Sequence, residues 1–233
     1  MASDPGTRWQ RRKDARPAEI LAAALACFKE RGFTATRLED VAAKAGVTKG
    51  TIYLYYPSKE ELFKAVVRGE LVPNIERLEA AILDAPVPAT VMLEQLCTTW
   101  AQHIVSSPIS VIPKLVIAEA GNFPELARFY LEVAVRRGLE LIASILRRGI
   151  ASGEFRPVDV EHVVYCVLGP LLFTVLWQHS LGPHDDRQLD VQAVCRAHLD
   201  LMLHGLHMHT PRPAQTPSRE GGKVVEAGDP CDA

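Results

Sequence analysis

Within GVTKGTIYLYYPSKEEL, residues 46–62, stand Tyr53, Tyr55 and Tyr56, three of the chain's five tyrosines, beside Lys49, Thr51 and Lys59. Side chains of these types suit a polyanion. A phenolic hydroxyl donates a hydrogen bond to a phosphate oxygen from a stiff side chain, a threonine hydroxyl or methyl can meet a base edge, and lysine supplies the salt-dependent part of affinity for nucleic acid. On a helix opening at Thr48, Ile52 and Tyr56 lie four residues apart on one stripe and are expected to anchor it inward. Gly50 falls nearly opposite, where a missing side chain lets the backbone approach phosphates and base edges. Lys49 with Tyr53, and Thr51 with Tyr55, form the two flanking stripes. The hydroxyl of Tyr56, turned inward, then needs a partner that the sequence does not name.

Other chemistry finds less support. There is no G-x-S-x-G, no H-E-x-x-H, no dinucleotide fingerprint and no carboxylate pair held by evident neighbours, so an enzyme is not expected. His198, His204, His207 and His209 gather late in the chain, His204 and His207 on one helical face, but no cysteine or carboxylate completes a tetrahedral set. Neither a metal nor another cofactor is expected. The 5 cysteines, Cys27, Cys97, Cys166, Cys195 and Cys231, include no C-x-x-C pair, and four stand in apolar helical surroundings as reduced, buried residues. Cys195 beside Arg196 leaves redox regulation as an alternative, without a clear resolving partner.

The elements that must position the cluster are helical. Aromatics make up 6% of the chain against 48% hydrophobic residues, which favours aliphatic-faced helices over a sandwich. Residues 1–15 read as a disordered tail carrying Arg8, Arg11, Arg12 and Lys13, ahead of Pro17 at a first helical position. Ile20, Leu21, Ala24, Leu25 and Phe28 recur at helical steps, giving a first helix over about 17–31 that stops at Gly32. Thr36-Arg37-Leu38-Glu39 has the form of a capping box opening a second helix that Gly46 ends. Thr48 caps a third, and Ser58-Lys59-Glu60-Glu61 opens a fourth and longer helix, kinked at Pro73. Beyond a DAPVPAT linker, helices are expected at about 89–107, 109–120, 124–152, 159–181 and 187–207. The stretch 210–233 has too little apolar surface to offset ordering and reads as a disordered tail.

Charge divides the same way. Residues 1–65 hold 12 Lys and Arg against 8 Asp and Glu, while the remainder holds 14 against 20, a modest asymmetry that suits a small polyanion-binding head on a neutral-to-acidic body and equally an uneven solvated surface. The N-terminus has no secretory core. The longest apolar run, VVYCVLGPLLFTVLW at 163–177, is short of the roughly 20 residues that span a bilayer and is read as a buried or interface helix. A cytoplasmic location without a membrane follows.

LEDVAAKAGVTKGTIYLYYPSKEELF resembles the DNA-binding signature of the TetR family of bacterial transcriptional regulators, the match running from residue 17 to about 64 without a gap. The resemblance implies that Thr36 caps its helix and touches phosphate, that Lys49, Gly50 and Thr51 meet bases or nearby backbone, and that Tyr53, Tyr55 and Lys59 clamp phosphates. Leu54 falls at a variable position from which it can meet a thymine methyl, and Tyr56 replaces the usual phenylalanine. IAEAGNFPELARFYLE, residues 117–132, is similar to the AefR-like or AcrR-like branch, some of whose members control efflux. The expected fold is all-α: a three-helix helix-turn-helix head over 16–64, joined by its fourth helix to a ligand-binding and dimerisation body over 65–209.

The family further implies a homodimer through the helices at 159–181 and 187–207, with Val163, Val167, Leu171, Val194 and Leu201 needing a partner surface. It implies a pocket in the body, for which Trp100, His103, Phe129, Phe173 and Trp177 are the candidate lining. The expected partners are double-stranded operator DNA and a small apolar or aromatic effector. The effector releases a repressor from a palindromic operator by favouring a dimer whose heads are wrongly spaced, with a ligand-dependent activator as the other ligand-responsive reading.

Overall fold

Gly32 and Gly46 both take a positive φ, 78° and 65°, a conformation that favours glycine; Gly46 ends a helix where the sequence places a stop, and Gly32, the other expected stop, breaks a helix that resumes for a further turn. The computed structural model describes residues 5–83 and 86–207, with side chains from Pro17 except at Leu83. Helix α1 is Pro5–Ala35, broken at Gly32; α2 is Leu38–Ala45 and α3 is Lys49–Tyr55. Helix α4 runs over 59–83, with a π turn at Val67–Leu71. Helix α5 runs over 89–104, its last turn Trp100–Ile104 also π, and a 3₁₀ turn at Pro108–Ser110 leads into α6, Val111–Glu119. Helix α7 covers 124–152 with a π turn at Leu131–Val135, α8 covers 160–181 and closes on a π turn at Trp177–Leu181, and α9 is Val191–Leu206. Among the described residues the chain is all-α, with one isolated bridge, Phe155 to His207.

Several expectations are corrected. Residues 5–15, read as a disordered tail, continue α1; arginine, glutamine, lysine and alanine there are good helix formers, and Pro17 removes only one donor. Thr36 does not cap α2. Its hydroxyl donates inward to the carbonyls of Gly32, at 2.7 Å, and Cys27, at 3.2 Å, while Arg37 is the N-cap residue and its N–H donates to Asp40 Oδ2 at 3.3 Å. Tyr56 lies just past α3 in extended conformation, and the last helix begins at Val191 under the Asp190 cap rather than at 187. The Thr48, Ser58 and Asp159 side chains accept from the helix N–H groups as capping requires. Pro73, where a kink is expected, follows the π turn of α4, which widens the helix just ahead of the missing donor. The C-terminal tail, His209 and Cys231 lie outside the described residues.

Three apolar clusters make the interior. The first belongs to head and body together: Ile20, Phe28, Phe33, Val41, Ile52, Leu62 and Phe63 are continuous with Ile112, Leu115 and Leu126 of α6 and α7. Phe63 stands 5.4 Å from both Phe28 and Phe33, and Phe123 caps Phe33 edge-on at 4.9 Å. The second lies at the far end, where Met92, Leu146, Phe155, Val164 and Leu206 join α5, α7, α8 and α9. A small third cluster gathers Cys97, Leu171 and Cys195.

The stretch Val160–His184 is long and apolar enough to cross a bilayer, longer than the run at 163–177 suggests. One face of it packs on α7 and α9, and Val167 and Leu171, expected to await a partner, are 2% and 1% exposed inside the chain's own core. The aliphatic and aromatic residues left bare are Tyr165, Phe173 and Leu181 on α8 and its end, with Leu201 on α9.

Candidate nucleic-acid interface and ligand cavity

Helix α3 is short, and its orientation is set from below. Ile52 is fully buried against α1 and α2, and Tyr55 and Tyr56 rest against the same core with their rings 6.3 Å apart. The opposite surface carries Lys49, Gly50, Tyr53 and Leu54, of which Leu54 is 81% exposed. At Gly50 a Cβ would meet only Thr48 Oγ1, at 3.9 Å, so the absence of a side chain there is not dictated by packing within the chain. The Thr51 hydroxyl shares a hydrogen bond of 2.9 Å with Thr48, half-buried at the first turn.

Lys49 is held across the turn by Glu39, 2.5 Å away, and its ammonium sits 5.6 Å from the Tyr53 ring. The carboxylate bond raises the Lys49 pKa and lowers that of Glu39. Because both groups are exposed, a phosphate can replace the carboxylate at little cost. Tyr56 is lifted by burial and, less, by Tyr55; no hydrogen bond holds its hydroxyl among the described residues.

Two residues assigned to phosphate by resemblance stand elsewhere. Thr36 is 1% exposed, with its hydroxyl committed inside the head. The Lys59 ammonium donates to the Thr34 carbonyl at 2.9 Å and lies 4.7 Å from the Phe33 ring, where burial lowers its pKa. Thr34 in turn donates from Oγ1 to Glu119 Oε1 at 2.8 Å, and Asn122 Nδ2 donates to Glu119 Oε2 at 3.1 Å. Lys59 therefore belongs to a polar seam between head and α6. Burial raises the Glu119 pKa, but the Asn122 and Thr34 bonds outweigh it and hold the carboxyl below its usual range.

Where the three clusters meet, the body is hollow. A cavity of about 310 Å³ lies among α4, α5, α6, α7 and α8, lined by apolar side chains such as Leu71, Ile109, Val116 and Leu141. The π turns of α4, α5 and α7 all supply lining, with Leu71, Trp100 and Leu131. No charged side chain lines it. Ile117 and Leu131 line the cavity and are also 51% and 41% exposed, which marks its mouth.

Of the candidate lining, Trp100 alone is in the wall, its indole N–H donating to the Leu171 carbonyl at 3.0 Å. His103 is exposed, Phe129 packs toward the head with the Arg68 guanidinium 4.6 Å from its ring, and exposed Phe173 pairs at 5.8 Å with half-buried Trp177. The Trp177 indole nitrogen is buried without a hydrogen-bond partner among the described residues and lies outside the cavity wall. The wall is built mainly from aliphatic and small residues that sequence reading passed over. Ala127, Ala134 and Gly138, recurring along one face of α7, were the available signal.

Among the described residues no three His, Cys, Asp or Glu side chains gather to hold a metal. His198 is 3.1 Å from the Val167 carbonyl and His204 2.8 Å from that of Asp200. Cys27, Cys97 and Cys195 are buried, with burial pushing Cys97 up to about 12, whereas Cys166, expected inside, is exposed on α8.

A compact helical head presenting the N-terminal half of one helix, fused to a hollow helical body, has the architecture of a helix-turn-helix transcriptional regulator. The chain belongs to the TetR family: residues 20–66 match the model of the bacterial regulatory proteins of that family, and residues 90–194 match a tetracyclin repressor-like C-terminal domain. It is a DNA-binding regulator and not an enzyme. It is 32% identical over 149 residues to an uncharacterized HTH-type transcriptional regulator, YfiR, of Bacillus subtilis, covering 63% of this chain and 71% of that one. To the HTH-type transcriptional repressor KstR2 of Mycobacterium tuberculosis it is 29% identical over 195 residues, 83% of this chain and 94% of the other. The structure of FadR from Bacillus subtilis in complex with stearoyl-CoA superposes with a TM-score of 0.70 at 25% identity, over 82% of this chain and 99% of that one.

Proposed function

We propose that the protein is a cytoplasmic, homodimeric repressor that leaves a palindromic operator when a small apolar or aromatic molecule fills the cavity. The observation that carries this reading is the position of the hollow. Its walls include α4 and α6, and those same helices complete the core of the head through Leu62, Phe63, Ile112 and Leu115. A ligand that binds one arrangement of α4 and α6 better than another shifts the heads by that difference in affinity. KstR2 is named a repressor, and FadR was captured with stearoyl-CoA; both agree with a ligand-released repressor.

In this reading Lys49, Gly50, Thr51, Tyr53 and Tyr55 face the operator, with Leu54 toward a base edge, while Thr36 and Lys59 support the head from within. Two heads act together because one recognition helix reads too little sequence alone. Tyr165, Cys166 and Phe173 of α8 and Leu201 of α9 form the dimer face in place of Val167 and Leu171. That burial also accounts for the bare apolar surface of α8 in a soluble protein.

Selection of bound duplexes from a random DNA pool, followed by a compound screen on the selected site, tests the whole. A palindrome that a neutral apolar compound releases supports the proposal. A site that the same compounds tighten favours a ligand-dependent activator, and release by peroxide, reversed by dithiothreitol, a redox regulator. The buried thiols argue against the last, since their raised pKa values disfavour the reactive thiolate.

A further inference from the structure

The cavity holds few polar groups, and nearly all are already engaged. The Trp100 indole donates to Leu171. The Ser110 hydroxyl donates to the Ser107 carbonyl at 2.7 Å and meets His179 Nε2 at 2.8 Å. Asn74 donates to the Glu70 carbonyl through its amide nitrogen and accepts from Arg77 at 2.9 Å through its amide oxygen. Tyr130 is different. It lines the cavity, yet its hydroxyl makes no hydrogen bond among the described residues. Burial alone, with no neighbouring charge or donor, drives its pKa far above the ordinary range. The hydroxyl is not among the buried polar atoms sealed without a partner, so it stays accessible beside the chamber, where an otherwise apolar wall offers it no acceptor and a ligand can supply one.

We infer that Tyr130 selects the ligand: the cavity takes an uncharged apolar molecule carrying one oxygen acceptor, a ketone, ester, thioester or hydroxyl oxygen, which receives the Tyr130 hydrogen bond. This deepens the proposed ligand response and rests on it. Two alternatives are disfavoured by the same wall. A hydrocarbon leaves the phenol unpaired, and a carboxylate brought inside meets no cation, because every lining residue is neutral. A site with one built-in donor rejects an analogue lacking the acceptor more strongly than it discriminates chain length, since a missing acceptor strands a buried polar group whereas a missing methylene removes only a little apolar contact.

The test is displacement of the neutral fluorescent probe N-phenyl-1-naphthylamine from the full chain by three ligands of equal length: 2-decanone, decane and decanoate. The expected order has decanone displacing at roughly tenfold lower concentration than decane or decanoate, and Tyr130→Phe removing that advantage while decane is unaffected. Thermal unfolding of Tyr130→Phe, which keeps the ring, checks that the variant is folded. Equal competition by decanone and decane, decanoate competing as well as decanone, or an advantage that survives Tyr130→Phe overturns the assignment while leaving the cavity reading intact. If the probe does not bind the unaltered protein, or binds equally after Ala134→Leu narrows the chamber, the cavity reading itself fails, and the inference with it.

Discussion

Phe28, Phe33 and Phe63 fill the centre of the head with rings 5.4–5.6 Å apart, whereas the centre of the body encloses about 310 Å³ of open space. Both regions are helical and apolar, and they differ in how well their helices keep register. The head uses short segments with tight caps at Thr48 and Ser58, so each side chain has one place to go. The body uses long helices interrupted by π turns in α4 and α7 and closed by them in α5 and α8, which leave parts of neighbouring faces out of contact. A surface that must meet DNA in one geometry is best built the first way, and a chamber that must admit a molecule and respond to it the second.

The contrast is broken most forcefully in the solid half. Phe63→Ala should cost about 3–5 kcal/mol, because two rings, Phe28 and Phe33, lose a common neighbour and the space cannot collapse around them, as a thermal unfolding series will show. A loss below about 1 kcal/mol would mean that the head is looser than its packing implies. A paired substitution is sharper. Ala24→Leu, at a fully buried site of the head, should destabilise by about 1–3 kcal/mol through overpacking. Ala134→Leu, equally internal but on the cavity wall, should leave the melting temperature nearly unchanged while abolishing uptake of an apolar dye. Equal destabilisation by the two would remove the distinction between solid and hollow cores.

Smaller effects separate surfaces. Lys49→Ala should leave stability within about 0.5 kcal/mol and reduce the salt slope of operator binding by about one, and Thr51→Ala should change preference at one half-site position. A uniform loss of affinity from Thr51→Ala would take it out of base reading. His179, beside Ser110 at the cavity, has its pKa depressed by burial first and then by Lys29 and Lys114. Between the ordinary value near 6.5 and that lower folded value the unfolded chain binds more protons, so stability should fall as pH drops through this window. Urea titrations from pH 7.5 to 5 should show that decline reduced in His179→Gln. Last, Cys166 should react with a thiol reagent in dilute protein and become protected as concentration rises, while Cys97, pushed up to about 12, stays silent until unfolding.

The sequence made the head legible because its signals are local. Gly32, Gly46, Thr48 and Ser58 each act on the backbone within a few residues, and Ile52 and Gly50 fall on opposite sides of α3 as the helical period requires. Thr36 misled because a threonine three residues before a glutamate has the form of a cap whether or not its hydroxyl finds nearer acceptors, here Gly32 and Cys27. In the body, helix extents were readable and their facing was not. Phe173 and Trp177 look like pocket aromatics, yet side chains in α8 are aimed by packing against α7 and α9, which no local pattern encodes. The cavity escaped notice for a related reason, since what marks it is a run of small residues along α7 and not any large or reactive one.

The π turns have a genetic consequence. Each is an α-helix carrying one surplus residue, so deletion of a single position within Trp100–Ile104 or Leu131–Val135 can leave an unbroken α-helix with its downstream faces nearly in place, while the side chains of the turn itself are re-aimed. Such a deletion alters no side chain's chemistry, yet it exchanges which ones face the chamber. Among proteins of this build, a change of chain length by one residue inside a helix is therefore a quicker route to a new ligand than a string of point substitutions.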